Sequence, residues 1–262
     1  MDKMKILRDR FAGYGFLRTA YTFFVAFKQD YNFNIFAFSR DMSSFLKDYN
    51  NYKKKNNQNF VLSGKYLLPY LKDKTFCTLV DPVYFFQDSW AAGKLFRLKP
   101  SHHYDVGSSV KTLGIISQFV PVTMVDIRPI EITLNNFYFR KGSILNLPFD
   151  DNSIDSLSSL CVVEHVGLGR YGDPIDAFGS EKAIQELRRV LKSGGHMLFS
   201  IPVDEECRVY FNAHRAFTRE YIMDLFKGMR LVEEKYIYGK TVQEIYDSSK
   251  GFGTGLFHFQ KL

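Results

Sequence analysis

Apolar and polar positions follow two different periods from residue 101 onward, and the two periods alternate along the chain. Short runs rich in apolar and β-branched residues are predicted strands: HHYDV, VTMVDI, FYFRKGS, SIDSLSSLCVV and HMLFSIPV. Stretches with helical spacing lie between them: VKTLGIISQF, SEKAIQELRRVLK and TREYIMDLFKGM. This alternation predicts an α/β domain with a doubly wound, mostly parallel sheet.

The last two predicted strands, RLVEEKYIYG and GTGLFHFQKL, have no helical stretch between them. They predict an antiparallel pair at one edge of the sheet, spanned by the loop 240–253. Ligands of open α/β sheets bind at the carboxyl ends of the strands, so we expect the chemistry of this chain at those ends.

The N-terminal part of the chain has helical spacing in FLRTAYTFFVAF, RDMSSFLKDY and DPVYFFQDSWAAGKLFRL. Asp41 is predicted to cap the second helix, and Pro82 lies in the first turn of the third. We therefore expect a helical extension or lid over residues 1–100 and a ligand-binding domain over residues 101–262.

The composition is that of a globular protein, with 45% hydrophobic and 24% charged residues. The formal charge is +7, but the clearest basic run, YKKKNNQN, is short and polar. A solvated loop explains that run better than a nucleic-acid interface, and the excess of positive charge also suits an anionic small substrate. Nothing in the sequence indicates an oligomeric state.

Cysteine use and hydropathy bear on the compartment. The three cysteines are an odd number without CxxC spacing, which favours a reducing compartment without disulfides or structural zinc. The most apolar early stretch, AYTFFVAFKQD, is shorter than the roughly 20 residues that a membrane span needs. We expect a cytoplasmic protein without a membrane span.

The segment DVGSS at residues 105–109 is the first candidate for ligand binding. Gly107 would let the backbone approach a ligand, and Asp126 closes the next predicted strand 21 residues after Asp105. Dinucleotide-binding units place an acid for the ribose hydroxyls at about this distance. By itself the signal is weak, because short Gly/Ser turns often join a strand to a helix and the second and third glycines of that motif are absent.

The segments around DVGSS give the loop a context. YDVGSS, VTMVDIRP, GSILNLPFDDNSIDSLSSLCVVEHV, AIQELRRVLKSGGHMLFSIPV and HRAFTREYIMDLF resemble, in order and spacing, the class I S-adenosylmethionine-dependent methyltransferases. The resemblance covers residues 101–238 and implies a Rossmann-like, seven-stranded sheet with an antiparallel edge strand. DPVYFFQDSWAA, EHVGLGRYGDPID and FNAHRAF are similar to an uncharacterised branch that often occurs in surface-polysaccharide gene clusters.

The resemblance implies S-adenosylmethionine as cofactor and assigns residues to its parts. The methionine part would be held by the first loop, the ribose by an acid, the adenine by apolar neighbours, and the sulfonium would lie at the end of the fourth strand. The methionine part is assigned to Asp105, Gly107 and Ser108, and the ribose to Asp126. The adenine is assigned to Ile127, Ser143 and Ile144, and the sulfonium region to Cys161 and Val162. Ser143 stands where the family often has an acid, which leaves recognition of the adenine amine to a backbone group.

Methyl transfer to an oxygen needs a base, and two histidines are candidates. His165 follows the fourth strand beside Glu164, which could orient it or bind the methionine ammonium. A structural role for the pair at the strand end is equally open. His214 follows the fifth strand and is the rival base.

Three further residues are candidates for binding the acceptor. Arg215 could pair with an anionic acceptor or brace a loop, while Arg170 and Tyr171 lie in the glycine-rich loop 167–180 and could anchor a sugar or nucleotide. His102 and His103 are adjacent in a strand and face opposite ways, so no metal site is predicted.

The predicted function is an S-adenosylmethionine-dependent methyltransferase. Its acceptor would be a small polar molecule, such as a sugar or nucleotide-sugar hydroxyl in surface-polysaccharide synthesis. The alternatives are a catalytically silent binding protein with the same fold and an RNA methyltransferase, although no RNA-binding module is visible. An NAD-dependent enzyme would explain only the spacing between Gly107 and Asp126.

Overall fold

The computed structural model describes residues 20–262 apart from positions 22, 26, 29, 30, 32 and 56. The chain forms two compact units, Met1–Leu79 and Val80–Leu262. The third predicted helix, which begins at Pro82, therefore belongs to the second unit. The first predicted helix, FLRTAYTFFVAF, begins outside the described residues.

The described residues of the first unit include the long helix α1 (Ile35–Lys54) and a short 3-10 turn at Gly64–Tyr66. The Asn34 side chain caps α1 by accepting the backbone N–H of Ala37 at 3.0 Å. The prediction that Asp41 caps this helix is wrong. Asp41 lies inside α1, where its carboxylate accepts the Tyr31 hydroxyl at 2.7 Å.

The second unit is built on a large central sheet. The strands are β1 His103–Val106, β2 Val122–Asp126, β3 Phe137–Lys141, β4 Ile154–Leu160, β5 Leu191–Val203, β6 Arg208–Tyr210, β7 His214–Ala216, β8 Met229–Tyr238, β9 Thr241–Gln243 and β10 Gly253–Lys261. In the described residues the central sheet has eight strands in the order β3-β2-β1-β4-β5-β10-β8-β9. The other two strands, β6 and β7, form a separate antiparallel hairpin.

The sheet confirms the predicted Rossmann-like, mostly parallel class, with one strand more than the seven expected. Strands β1 to β5 pair in parallel, and β10 pairs antiparallel with both β5 and β8. The extra strand is β9, which folds back on β8 as an antiparallel edge. The predicted antiparallel pair consists of β8 and β10, and β10 lies between β5 and β8. In that position both sides of the β10 backbone have hydrogen-bond partners.

Four helices flank the sheet: α2 (Pro82–Leu98), α3 (Val110–Ile116), α4 (Gly179–Val190) and α5 (Arg219–Leu225). Because side chains alternate along a strand, Leu198 packs in the core under α2 and α3, while Met197 and Phe199 pack in the core with α4 and α5. Thr218 caps α5, since its Oγ1 accepts the Tyr221 N–H at 3.2 Å. None of the described helices is long and apolar enough to cross a membrane.

Candidate active site

A cavity of about 310 Å³ lies at the carboxyl ends of β1, β2 and β4. Its walls come from the turns that follow these strands, from the turn after β3 and from the loop after β4. The residues are Val106, Gly107, Val125, Asp126, Ile127, Arg128, Gly142, Ser143, Ile144, Leu145, Cys161, Val162, His165, Val166, Tyr171, Gly172, Asp173 and Pro174. The structure thus brings together most of the residues predicted to bind the cofactor.

Gly107 is the point of closest approach between the turns after β1 and β4. Its φ is +76°, and a Cβ placed there would lie 2.8 Å from Cγ1 of Val162. Any other residue would strain the backbone and collide with Val162. The turn therefore requires glycine here, and the backbone of Gly107 forms part of the cavity wall.

Asp105 and Ser108 lie behind that wall. The carboxylate of Asp105 is buried and accepts the Ser108 N–H at 2.9 Å, the Ser108 hydroxyl at 2.7 Å and the Ser158 hydroxyl. Burial raises the pKa of Asp105 to about 6, although these hydrogen bonds oppose the shift. The two residues were predicted to contact the cofactor. Neither lines the cavity, and their hydrogen bonds hold the turn around Gly107.

Asp126, the predicted ribose acid, closes β2 and lines the cavity with 9% of its surface exposed. It accepts the backbone N–H of Arg128 at 2.8 Å and pairs with the guanidinium at 3.2 Å. Arg128 also lies over the ring of Tyr171, 4.7 Å from its centroid. Ile127, Ser143 and Ile144, the predicted adenine neighbours, line the same part of the cavity.

The end of β4 is tied to helix α2 by a residue whose role sequence reasoning did not assign. Gln87 is buried, and its Oε1 accepts the Cys161 thiol at 3.0 Å and the Ser200 hydroxyl at 2.6 Å. Cys161 has a φ of +53°, and burial raises the pKa of its thiol. In the sequence Gln87 is distinguished only as the one amide side chain of α2.

Glu164 and His165 follow β4 in the short helical turn Val163–His165. The Nδ1 atom of His165 lies 2.7 Å from the carbonyl oxygen of Ala213, and its Nε2 lies 3.7 Å from Oε1 of Glu164. Burial lowers the pKa of His165 and raises that of Glu164 to about 8. At neutral pH the imidazole is therefore uncharged and the carboxyl largely protonated. His165 lines the cavity and Glu164 lies behind it.

The loop after β4 is held down by Arg215 of β7. The guanidinium of Arg215 is nearly buried and donates to the carbonyl oxygens of Val166 at 2.6 Å and Asp176 at 3.0 Å and to the Ser180 hydroxyl at 3.1 Å. Of the two roles considered for Arg215, these contacts are those of a brace. It holds backbone carbonyls and does not line the cavity.

The other candidate residues divide between the cavity and its surroundings. Tyr171 lines the cavity, and exposed Arg170 lies beside it, 5.2 Å from the ring centroid. His214 does not line the cavity. Its ring packs between Tyr210 and Phe252, at centroid distances of 5.0 and 5.3 Å. Among the described residues, no group of three or more His, Cys, Asp or Glu side chains is arranged to hold a metal ion.

Comparison with known proteins identifies relatives of parts of this chain. A family profile described as "Caenorhabditis protein of unknown function, DUF268" matches residues 124–247. A protein of Encephalitozoon cuniculi named "Putative methyltransferase" is 38% identical over 61 residues. That match spans 23% of this chain and only 25% of the relative.

Solved structures share the fold. A structure from Galdieria sulphuraria, described as a "putative sarcosine dimethylglycine methyltransferase", matches with a TM-score of 0.51 and 17% identity over 68% of this chain and 86% of that one. The (4+2)-cyclase SpnF matches with a TM-score of 0.51 and 12% identity over 66% and 81%.

The chain has the Rossmann-like fold found in methyltransferases. The SpnF structure carries the name of a cyclase, so the fold does not by itself decide the reaction.

Proposed function

We propose that this chain is an S-adenosylmethionine-dependent methyltransferase that acts on a small polar acceptor. One arrangement carries the proposal: the turn at Gly107 and the carboxylate of Asp126 line the same cavity, at the carboxyl ends of neighbouring strands. A thin backbone wall next to an acid suits an adenosyl group, whose ribose offers two hydroxyl donors to a carboxylate.

The residues present fit the cofactor in two further respects. Gly107 carries no side chain, so its backbone forms the cavity wall beside Val162. Behind the cavity, Oε2 of Glu164 is buried without a hydrogen-bond partner among the described residues. A protein rarely leaves such an atom unsatisfied, and the ammonium group of the methionine part would supply a donor. Gly107, Asp126, Ile127, Ile144 and Glu164 would hold the cofactor.

When bound, S-adenosylmethionine would supply an electrophilic methyl group to the acceptor oxygen, with its sulfur as the leaving group. The chain must align the acceptor and remove its hydroxyl proton. His165 lines the cavity and is uncharged at neutral pH, so we assign the proton to this imidazole. His214 lies outside the cavity and is the weaker candidate.

Within this class we propose a sugar or nucleotide-sugar hydroxyl as acceptor, in surface-polysaccharide synthesis. The sequence resemblance to a branch found with such gene clusters supports this substrate. So does the partly exposed ring of Tyr171 next to the cation of Arg170, because a few polar groups beside an aromatic wall are typical of sites for small polar ligands.

Ligand-dependent thermal unfolding tests the cofactor. S-adenosylhomocysteine at 100 times its Kd stabilises a one-site protein by about 2.7 kcal/mol, which raises Tm by roughly 5 °C or more in a chain of this size. NADH and adenosine at the same concentrations serve as controls. A Tm that S-adenosylmethionine and S-adenosylhomocysteine leave unchanged at millimolar concentration would contradict the proposal.

A matched pair of variants tests the base. We expect His165→Asn to lower kcat by about 100-fold or more, the usual contribution of a general base, and His214→Asn to lower it less than about tenfold. Sugars and nucleotide sugars are screened as acceptors with radiolabelled methyl donor. A larger loss in His214→Asn than in His165→Asn would reverse the assignment.

A catalytically silent binding protein is the second candidate. It is favoured by two departures from the family pattern: the DVGSS loop has one glycine, and Ser143 stands where the family often has an acid. Tight cofactor binding without methyl transfer to any sugar, nucleotide sugar or phosphorylated acceptor would support it.

A further inference from the structure

The carbonyl oxygen of Ala213 receives two donors from the edge of the cavity. Nδ1 of His165 lies 2.7 Å from this oxygen, and Nη1 of Arg170 lies 2.8 Å from it. A carbonyl oxygen has two lone pairs, so both donors can be accommodated at once. The two side chains are also in contact, since Nη1 of Arg170 lies 3.3 Å from Nδ1 of His165.

These three contacts determine which nitrogen of His165 carries the proton. A guanidinium only donates, so a bond from Arg170 to Nδ1 would require an unprotonated Nδ1. An unprotonated Nδ1 would then place its lone pair 2.7 Å from the lone pairs of the Ala213 oxygen. The shorter contact favours the opposite tautomer, in which Nδ1–H donates to Ala213 and Nε2 bears the lone pair. Arg170 then donates to Ala213 as well.

Arg170 also influences the charge of His165. A guanidinium this close disfavours a second positive charge on the imidazole, in the same direction as burial, so both lower the pKa of His165. The other charged or titratable groups that act on His165 are Glu164 beside it, Asp173 in the loop and His214 on β7. The hydrogen bond to the Ala213 carbonyl and the charge of Asp173 oppose this lowering of the pKa, whereas Glu164 is largely protonated at neutral pH.

We propose that Arg170 is a positioning residue for His165: it holds the Ala213 carbonyl in place, and that carbonyl keeps the imidazole in the Nδ1-protonated form, so that Nε2 is the atom that takes the acceptor's proton. The O–H bond of the acceptor breaks, an N–H bond forms on Nε2, and the oxygen keeps the electron pair for the methyl carbon. This role differs from the acceptor-binding role expected for Arg170, and it rests on the proposed methyl transfer.

Nuclear magnetic resonance of a sample with labelled histidine tests the proposal without turnover. The imidazole nitrogen shifts of His165 should report the Nδ1–H form. In Arg170→Met, its titration midpoint should rise by about half a pH unit, because an exposed cation acts through partly screened electrostatics. Arg170→Lys should recover most of the shift, and 1 M salt should reduce the difference between wild type and Arg170→Met.

The control variant removes a cation from the same region without touching His165. Lys182 pairs with Asp176 at 2.6 Å and is exposed, so Lys182→Met should leave the His165 midpoint unchanged. An Nε2–H tautomer in the wild type, or a midpoint that Arg170→Met moves by less than about 0.1 pH unit, would overturn the proposal. Arg170 would then only pack on Tyr171 and the loop.

Activity separates this inference from the proposed function. If methyl transfer is found, Arg170→Met should shift the acid limb of the kcat/KM profile upward with the His165 midpoint. If no acceptor is methylated but the tautomer and midpoint respond as expected, the positioning role stands and the proposed function fails. If transfer occurs while His165 does not respond to Arg170, the function stands and the positioning role fails.

Discussion

Two aspartates stand near the ends of adjacent parallel strands and have opposite surroundings. Asp105, on β1, is fully buried and accepts three hydrogen bonds from Ser108 and Ser158. Asp126, at the end of β2, lies on the cavity wall and pairs with a guanidinium whose side chain is 58% exposed. β1 pairs Asp105 with Met124, so Asp126 reaches two residues further along the sheet.

This small offset separates structural from ligand-binding chemistry. A carboxylate that is enclosed by donors stabilises the loop in which it lies, because every one of its bonds is internal. The carboxylate of Asp126, two residues further along the sheet, pairs with an exposed arginine. A ligand hydroxyl can replace that arginine with little loss of free energy. Four predictions test the contrast, beginning with the largest expected effect.

Replacing Asp105 by Ala should lower the free energy of unfolding by about 3 kcal/mol. The change leaves the Ser108 N–H and the Ser158 hydroxyl buried without their acceptor. Chemical denaturation measures the loss. Asp105→Asn keeps one acceptor and should lose less of the free energy of unfolding. Equal stability of Asp105→Ala and the wild type would refute the structural role.

The stability of the wild type relative to Asp105→Asn should fall by about 2 kcal/mol as the pH rises from 4 to 7. The folded-state pKa of Asp105 is raised to about 6, above the value of 3.8 for an ordinary aspartate. The part of its contribution that depends on protonation is therefore complete below pH 4 and lost as the pH rises through 6. Denaturation of both proteins across this range tests the sign, and a difference that grows with pH would contradict it.

Gly107→Ala should cost about 1.5 kcal/mol of stability, because φ is +76° and the new methyl group meets Val162. Cofactor binding should weaken at least tenfold as the turn moves. The control is Gly64→Ala, since a Cβ at Gly64 meets no atom within 4 Å. A Gly107→Ala protein with native affinity would show that the turn does not form part of the binding surface.

Asp126→Asn should have the smallest effect on stability and a clear effect on binding. We expect the Kd for S-adenosylhomocysteine to rise about tenfold, equivalent to about 1.4 kcal/mol, while the free energy of unfolding changes by less than about 1 kcal/mol. Calorimetry and denaturation measure the two quantities. A stability loss as large as that of Asp105→Ala would remove the contrast between the two acids.

Local patterns predicted the elements and the place of the cavity well. Thr218 as a helix cap and the glycine turn at 107 are short-range features, and the alternation of strands and helices indicated the parallel sheet. Contacts with distant partners could not be predicted in this way. Asp105 and Ser108 were expected to face the ligand, but Ser158 on β4 completes the enclosure of Asp105. Arg215 was open between two roles, and its carbonyl partners Val166 and Asp176 lie 49 and 39 residues away in the chain.

The sequence by itself determined the fold class and the turns around the cavity, because hydrophobic period, caps and glycine conformations act over a few residues. Only the tertiary structure decided which polar side chains face the cavity and which form internal hydrogen bonds behind it. Burial depth and hydrogen-bond partners depend on strands and loops that lie far apart in the chain, as Gln87 with Cys161 and Arg215 with Val166 show. No local pattern encodes those distances.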